Sequence, residues 1–327
     1  MILKTLAILL IFFSFQLQAQ NDTKNKKKEN KTPKNIEAID SKFSIAPFYV
    51  NEYSFISIDS RLSDREAIYY KPNVIGSIGA KIGIKKFSIA YAFKLPQPEK
   101  YGKTNLTNLV LNLQRRIFGI SLYYIRYKGL FLKNPEDFDL KYTDETYPIR
   151  PDISLTTFGF QTHFVFTKSF SINAAFQQNE RQKKTAGSFM IMFGDRFSKL
   201  LSDSSLIVPS EQEYYDIANN ITRLNLNTIF IAPGAGYSFI FKHNISFTTI
   251  LLTGIGFQMK FYNSGNSNKF GLRLPLHLSS KSALGYNGKT FFFNLIYQIE
   301  LNNIKFTDSK FTLFSNAFKV SVGFRIY

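Results

Sequence analysis

Residues Phe318–Tyr327 read FKVSVGFRIY. Phe318, Val320, Val322, Phe324 and Ile326 are bulky and apolar, while Lys319, Ser321, Gly323 and Arg325 between them are polar or small. A period of two is the strand period, because successive side chains leave a strand on opposite faces. The chain therefore ends in a strand that is apolar on one side and wet on the other.

The same alternation recurs upstream. VIGSIGAKIGIKK sets Ile78, Ala80, Ile82 and Ile84 against Ser77, Gly79, Lys81 and Gly83. FSIAYAFKL puts Phe87, Ile89, Tyr91, Phe93 and Leu95 on one face. In ISLTTFGFQTHFVF, Phe158, Phe160, Phe164 and Phe166 oppose Gln161 and His163. LRLPLHLSS sets four leucines against Arg273, Pro275, His277 and Ser279, and TFFFNLIYQIEL opposes its aromatics to Asn294, Gln298 and Glu300.

A soluble sandwich also alternates, but these runs often exceed ten residues. Globular strands centre on ~5–6 residues and a tilted membrane strand needs ~9–11. The wet face carries Gly, Ser, Ala, Asn and Gln with single charges, which suits a lumen. Phe (35) and Tyr (18) are abundant, and aromatics near strand ends fit membrane girdles. In hydrocarbon every backbone N–H and C=O must be paired, so a sheet survives there only by closing on itself. The fold expected is all-β: a transmembrane antiparallel up-and-down β-barrel of about 12 strands, with 14 as the alternative. FKVSVGFRIY is its closing strand. A terminal aromatic there resembles the C-terminal assembly signal of outer-membrane barrels, although Tyr327 shares parity with Arg325.

Counting strands exposes a conflict. Twelve candidates lie from Val74 onward, and the apolar stretch SFISIDS makes thirteen. Short turns at Lys85-Lys86 and Asn287-Gly288 both belong at one end of a barrel, yet the count puts them out of phase, with Thr185–Leu226 the stretch in doubt. Asn287-Gly288 is also a two-residue hairpin signal. A capping box at Ser210–Glu213 predicts a short helix within a long loop.

The N-terminus, MILKTLAILLIFFSFQLQAQ, has Lys4, an apolar run from Leu6 to Phe13 and Ala19 before Gln20. This is the layout of a secretory signal peptide over 1–19, cleaved after Ala19. Residues 20–42 open with six lysines between Lys24 and Lys34 and read as a basic, disordered periplasmic linker; the barrel occupies 43–327. The net charge of +18 is scattered through strands and turns instead of forming a stripe, so an anionic lipid surface or a polar pore suits it better than nucleic acid. No cysteine is present, which excludes disulfides and thiol chemistry.

The ordered set Tyr70-Lys71-Pro72-Asn73, Gly102-Lys103-Thr104 and Tyr127-Lys128-Gly129, followed by DSSLIVP (Asp203–Pro209) and APGAGYSF, resembles a Bacteroidota-type outer-membrane barrel family, domain of unknown function 4421. The resemblance implies an outer-membrane location and supplies no catalytic residues.

Only three histidines exist: His163 and His277 have lumen parity and His243 lies in a turn. Ser279 shares the face of His277 but stands ~7 Å away along the strand, too far for direct proton transfer. The acidic loop Pro135–Glu145 lacks the spacing of a calcium loop. No catalytic, cofactor or metal site is expected, and no enzyme. The expected function is a pore-forming or structural envelope protein with a net basic lumen lined by Lys81, His163, Lys260, Arg273, His277, Glu300, Lys319 and Arg325. A platform for an envelope partner is the alternative, and a lipid-modifying hydrolase a weaker one. Expected partners are membrane lipids including lipopolysaccharide and the barrel assembly machinery. Oligomeric state is not legible.

Overall fold

Long alternating segments with β-branched and aromatic residues form strands wherever the period of two persists. The computed structural model describes residues 33–115, 117–138, 140, 147–264, 267–306 and 309–327. The expected signal peptide (1–19) and residues 20–32 of the expected linker lie outside the described residues.

The strands in chain order begin with β1 (Ile36–Ala38), β2 (Phe43–Ser60), β3 (Ile68–Lys71), β4 (Ser77–Ile84), β5 (Phe87–Lys94) and β6 (Asn105–Gln114). Next come β7 (Phe118–Leu132), β8 (Ile149–Val165), β9 (Glu180–Gln182), β10 (Ala186–Leu201) and β11 (Arg223–Ile240). The last are β12 (Ile245–Ser264), β13 (Ser267–Arg273), β14 (Leu276–Asn287), β15 (Phe291–Lys305) and β16 (Ser309–Ile326).

Each barrel strand pairs antiparallel with its neighbours, and β16 pairs with β2 from Ile326↔Phe43 to Ser309↔Ser60, closing the ring. Twelve staves cross: β13 and β14 form one stave broken at Leu274-Pro275, both pairing with β12. β3 does not cross. It bridges β2 and β7 above the three short staves β4–β6.

Closure is inside out relative to a soluble barrel. Ile78, Ile82, Phe87, Phe93, Phe158, Phe164, Phe189, Leu251, Ile255 and Phe257 point outward and are exposed, Phe189 by 78%. Their sequence neighbours point in.

One end, the turn end, carries the start of β2, the end of β16 and tight connections such as Lys85-Lys86. The opposite, loop end carries longer excursions. SFISIDS is the upper part of β2 and no separate crossing. Lys85-Lys86 and Asn287-Gly288 fall at the same end, so the phase conflict disappears. The conflict arises from residues 166–185, an excursion at the turn end that adds no crossing, and not from Thr185–Leu226, where β10 and β11 pair as two ordinary staves.

Other expectations change too. The β14–β15 turn is Gly288–Thr290. Asn287 stays in its strand, and Gly288 is not among the positive-φ residues, so no two-residue primed turn forms. Residues 262–264 and 267–269 pair with each other and extend β12 and β13 beyond the rim. At Ser210 the capping box is not made: a 3₁₀ turn starts at Pro209 and breaks at Tyr215 before one α-turn, Asp216–Asn219. Within the stretch read as a linker, Ile36–Ala38 pairs with β9 and buries Ile36.

The three family motifs meet in one knot where β7 leaves β6 for β3. The Asn73 backbone N–H donates to Thr104 Oγ1 (2.8 Å), the Asn73 amide donates to the carbonyls of Pro98 (2.8 Å) and Gly102 (2.7 Å), and Thr104 Oγ1 donates to Gly129 O (2.6 Å). Gly129 has φ +88, and a Cβ there would meet Lys103 O at 2.3 Å, so only glycine fits.

Candidate functional site: a closed lumen with a lysine-lined chamber

At the loop end the connection between β10 and β11 turns into the mouth. Leu206, Ile207, Val208, Tyr215, Ala218 and Ile221 are buried against inward wall residues including Ile56, Ile58, Leu224, Leu226, Ile304 and Phe311. The Tyr70 hydroxyl donates to Leu206 O at 2.9 Å. Arg65 grips Glu211 with two hydrogen bonds (2.8 and 2.9 Å). Such a loop reads as polar decoration in sequence because its apolar residues, LIV and YY, have no strand period.

At the turn end the excursion after β8 enters the lumen. Phe170 and Phe176 pack on Val165, Met190, Met192, Ile250 and Leu252. The other side of this segment is latched by hydrogen bonds. Arg325 donates to the carbonyls of Gly288 (2.6 Å), Lys289 (3.0 Å) and Gln178 and to Asn287 Oδ1 (2.6 Å). The Asn287 amide donates to Glu180 O (2.7 Å), and that of Asn294 donates to Ala175 O (2.8 Å).

Between the two plugs lies a cavity of about 270 Å³. Of the eight residues expected to line the lumen, Lys81, Glu300 and Lys319 reach this chamber. Lys81 Nζ lies 3.5 Å from the carbonyls of Phe176 and Gln177. Lys319 stands over the Phe48 ring at 3.5 Å. Glu300 is paired with Arg196, which also donates to the Tyr123 hydroxyl at 3.0 Å.

The other five lie elsewhere on the inner face. Arg325 belongs to the turn-end latch. His163 sits against Gly119. His277 stacks on Phe230 with ring centroids 4.0 Å apart, and its Nε2 has no hydrogen-bond partner. Lys260 donates to Lys305 O near the loop end and stands 4.1 Å over Phe306, and Arg273 pairs across from inward Gln258.

Sequence reading missed Lys281 and Glu52. Lys281 lines the chamber 4.8 Å over the Phe176 ring. Glu52 accepts from the Asn108 amide and the Tyr127 hydroxyl, both at 2.9 Å. Both were reachable by parity: Lys281 shares the face of His277, and Glu52 falls on the inner face of the first stave.

No cluster of three or more His, Cys, Asp or Glu that could hold a metal occurs among the described residues. Within the acidic loop, Asp137 Oδ2 accepts from the Asn134 amide, whereas Asp139, Asp144 and Glu145 lie outside the described residues.

Comparison with solved structures gives matches at low similarity. The outer membrane protease OmpT from Escherichia coli is 8% identical, with 88% of this chain and 97% of that chain covered and a TM-score of 0.38. In-vitro folded OmpT of Vibrio cholerae is 10% identical over 88% and 99%, with a TM-score of 0.32. Ail of Yersinia pestis is 13% identical over 65% and 100%, with a TM-score of 0.24. At these values the likeness says nothing about activity. No curated protein matches the chain. The family model described as Domain of unknown function (DUF4421) matches residues 34–326, and the chain belongs to that family.

Proposed function

We propose that the protein is an outer-membrane β-barrel of Bacteroidota type, exported by a signal peptide cleaved after Ala19. Its lumen is closed at rest, which suits a structural or ligand-holding envelope protein better than an open pore. The observation that carries this reading is the occupation of both mouths by the chain's own segments, apolar at the loop end and latched by Arg325 at the turn end.

The exposed belt supports the location. Contiguous outward Ile, Leu and Phe on neighbouring staves far exceed the patches soluble proteins leave in water, and hydrocarbon covers such a surface without cost. Short turns then face the periplasm and long excursions face outside. Lipids including lipopolysaccharide cover the belt, and the assembly machinery reads β16 with its outward Phe324 and Ile326. The platform reading draws on β1 and β9, a two-stranded sheet at the periplasmic mouth fed by the lysine-rich segment.

Planar-bilayer recording of the purified full chain tests the closed lumen. The expected trace has no steady conductance steps; stable steps from the unmodified chain would overturn the reading.

A further inference from the structure

We infer that the chamber binds a small doubly charged oxyanion, of phosphate or dicarboxylate chemistry, entering from the turn end. This rests on the closed-lumen reading. Lys81, Lys281 and Lys319 converge on the chamber from β4, β14 and β16. Among the described residues none of the three has a carboxylate at ion-pair distance. Glu300 is held by Arg196, and Glu52 is the one other chamber carboxylate. Three lysine amino groups therefore face the space against Glu52 alone, whose oxygens already accept from Asn108 and Tyr127, so the lining can supply more positive than negative charge.

Their contacts are the carbonyls of Phe176 and Gln177 for Lys81 and the ring faces of Phe176 and Phe48 for Lys281 and Lys319, none of them a counter-charge, and an anion would supply one. Low-dielectric walls also focus the field of the lysines on the space between them. Asn112, Ser121, Asn294 and Gln298 add neutral polar groups around the same space. A volume of about 270 Å³ sits near the lower bound of small-molecule sites, ~300 Å³, which suits a small anion and excludes a lipid.

Entry follows the same charge. A second cavity of about 30 Å³ at the turn end is lined by Lys85, Lys86 and Arg325, and shares Lys81, Gln177 and Gln178 with the chamber. An anion drawn to that vestibule meets Lys81 next.

The test measures thermal unfolding of the folded full chain in detergent, with inorganic phosphate in one arm and succinate in the other. Chloride at matched ionic strength is the reference. A saturable rise in midpoint is expected in at least one arm, and the arm that responds names the chemistry. Lys281→Gln should weaken apparent affinity at least tenfold and Lys281→Arg should retain it. Lys319→Gln gives the same reading if Lys281→Gln does not refold. Lys242→Gln, on an exposed turn, should leave affinity unchanged. Midpoints no higher than in chloride in both arms, or equal weakening by Lys242→Gln, would overturn the inference. Conductance is scored separately, so failure of binding leaves the closed lumen standing.

Discussion

At the loop end the mouth is filled by Leu206, Ile207, Val208, Tyr215, Ala218 and Ile221 against an aliphatic and aromatic wall. At the turn end Phe170 and Phe176 pack on one side, while Arg325, Asn287 and Asn294 hold the other through backbone carbonyls. The first closure depends on keeping apolar surface from water, so opening it exposes a whole core at once. The second depends in good part on hydrogen bonds, which water can replace at a net loss of only ~0.5–1.5 kcal/mol each for neutral groups. Two plugs of similar length therefore differ in how they open: the loop end as a unit, the turn end bond by bond.

The comparison is broken most severely by shrinking the loop-end core. Leu206→Ala should destabilise the plug by ~2–5 kcal/mol, as buried leucine truncations do. Hydrogen exchange across 202–222 should accelerate while exchange across 173–182 stays unchanged.

Arg325→Ala should act next most strongly, by ~2–3 kcal/mol, since hydrogen bonds from a charged donor contribute ~1.5–3 kcal/mol. Here the amides of 173–182 should accelerate and those of 202–222 should not. Equal loosening of both plugs by either variant would mean that they are one cooperative unit.

Gly129→Ala sharpens the comparison at the wall that supports the loop end. A positive φ and the nearby Lys103 carbonyl should cost ~1–3 kcal/mol, read as a lower unfolding midpoint.

The smallest effect belongs to Arg65→Ala. The Arg65 side chain is 42% exposed, so losing its pair with Glu211 should leave the unfolding midpoint almost unchanged and show chiefly as faster proteolysis of the loop.

The barrel was legible because its physics is periodic. Phe318, Val320, Val322, Phe324 and Ile326 show their outward face in the bare sequence, and so do Ile78–Ile84 and Phe158–Phe166. The same parity put Lys81, Lys319 and Glu300 inside. What stayed hidden has no period. SINAAFQQ and SSLIVPS are buried by the wall around them and by nothing in their own spacing, so their inward role does not show in the sequence. Asn287-Gly288 looked like a hairpin because its dipeptide chemistry fits one, whereas the Asn287 side chain is committed to Arg325 and Glu180. Chamber geometry was equally out of reach, since Lys81, Lys281 and Lys319 are brought together only by closure of β16 on β2.

The chain has no native cysteine, so Gln298→Cys places a lone thiol in the chamber. Labelling of the folded protein with a bulky, membrane-impermeant maleimide reports directly on whether the lumen is sealed. No modification is expected while both plugs are intact, with rapid modification once residues 171–183 are replaced by a short glycine-serine turn. Rapid labelling with both segments in place would contradict a lumen stoppered by its own chain.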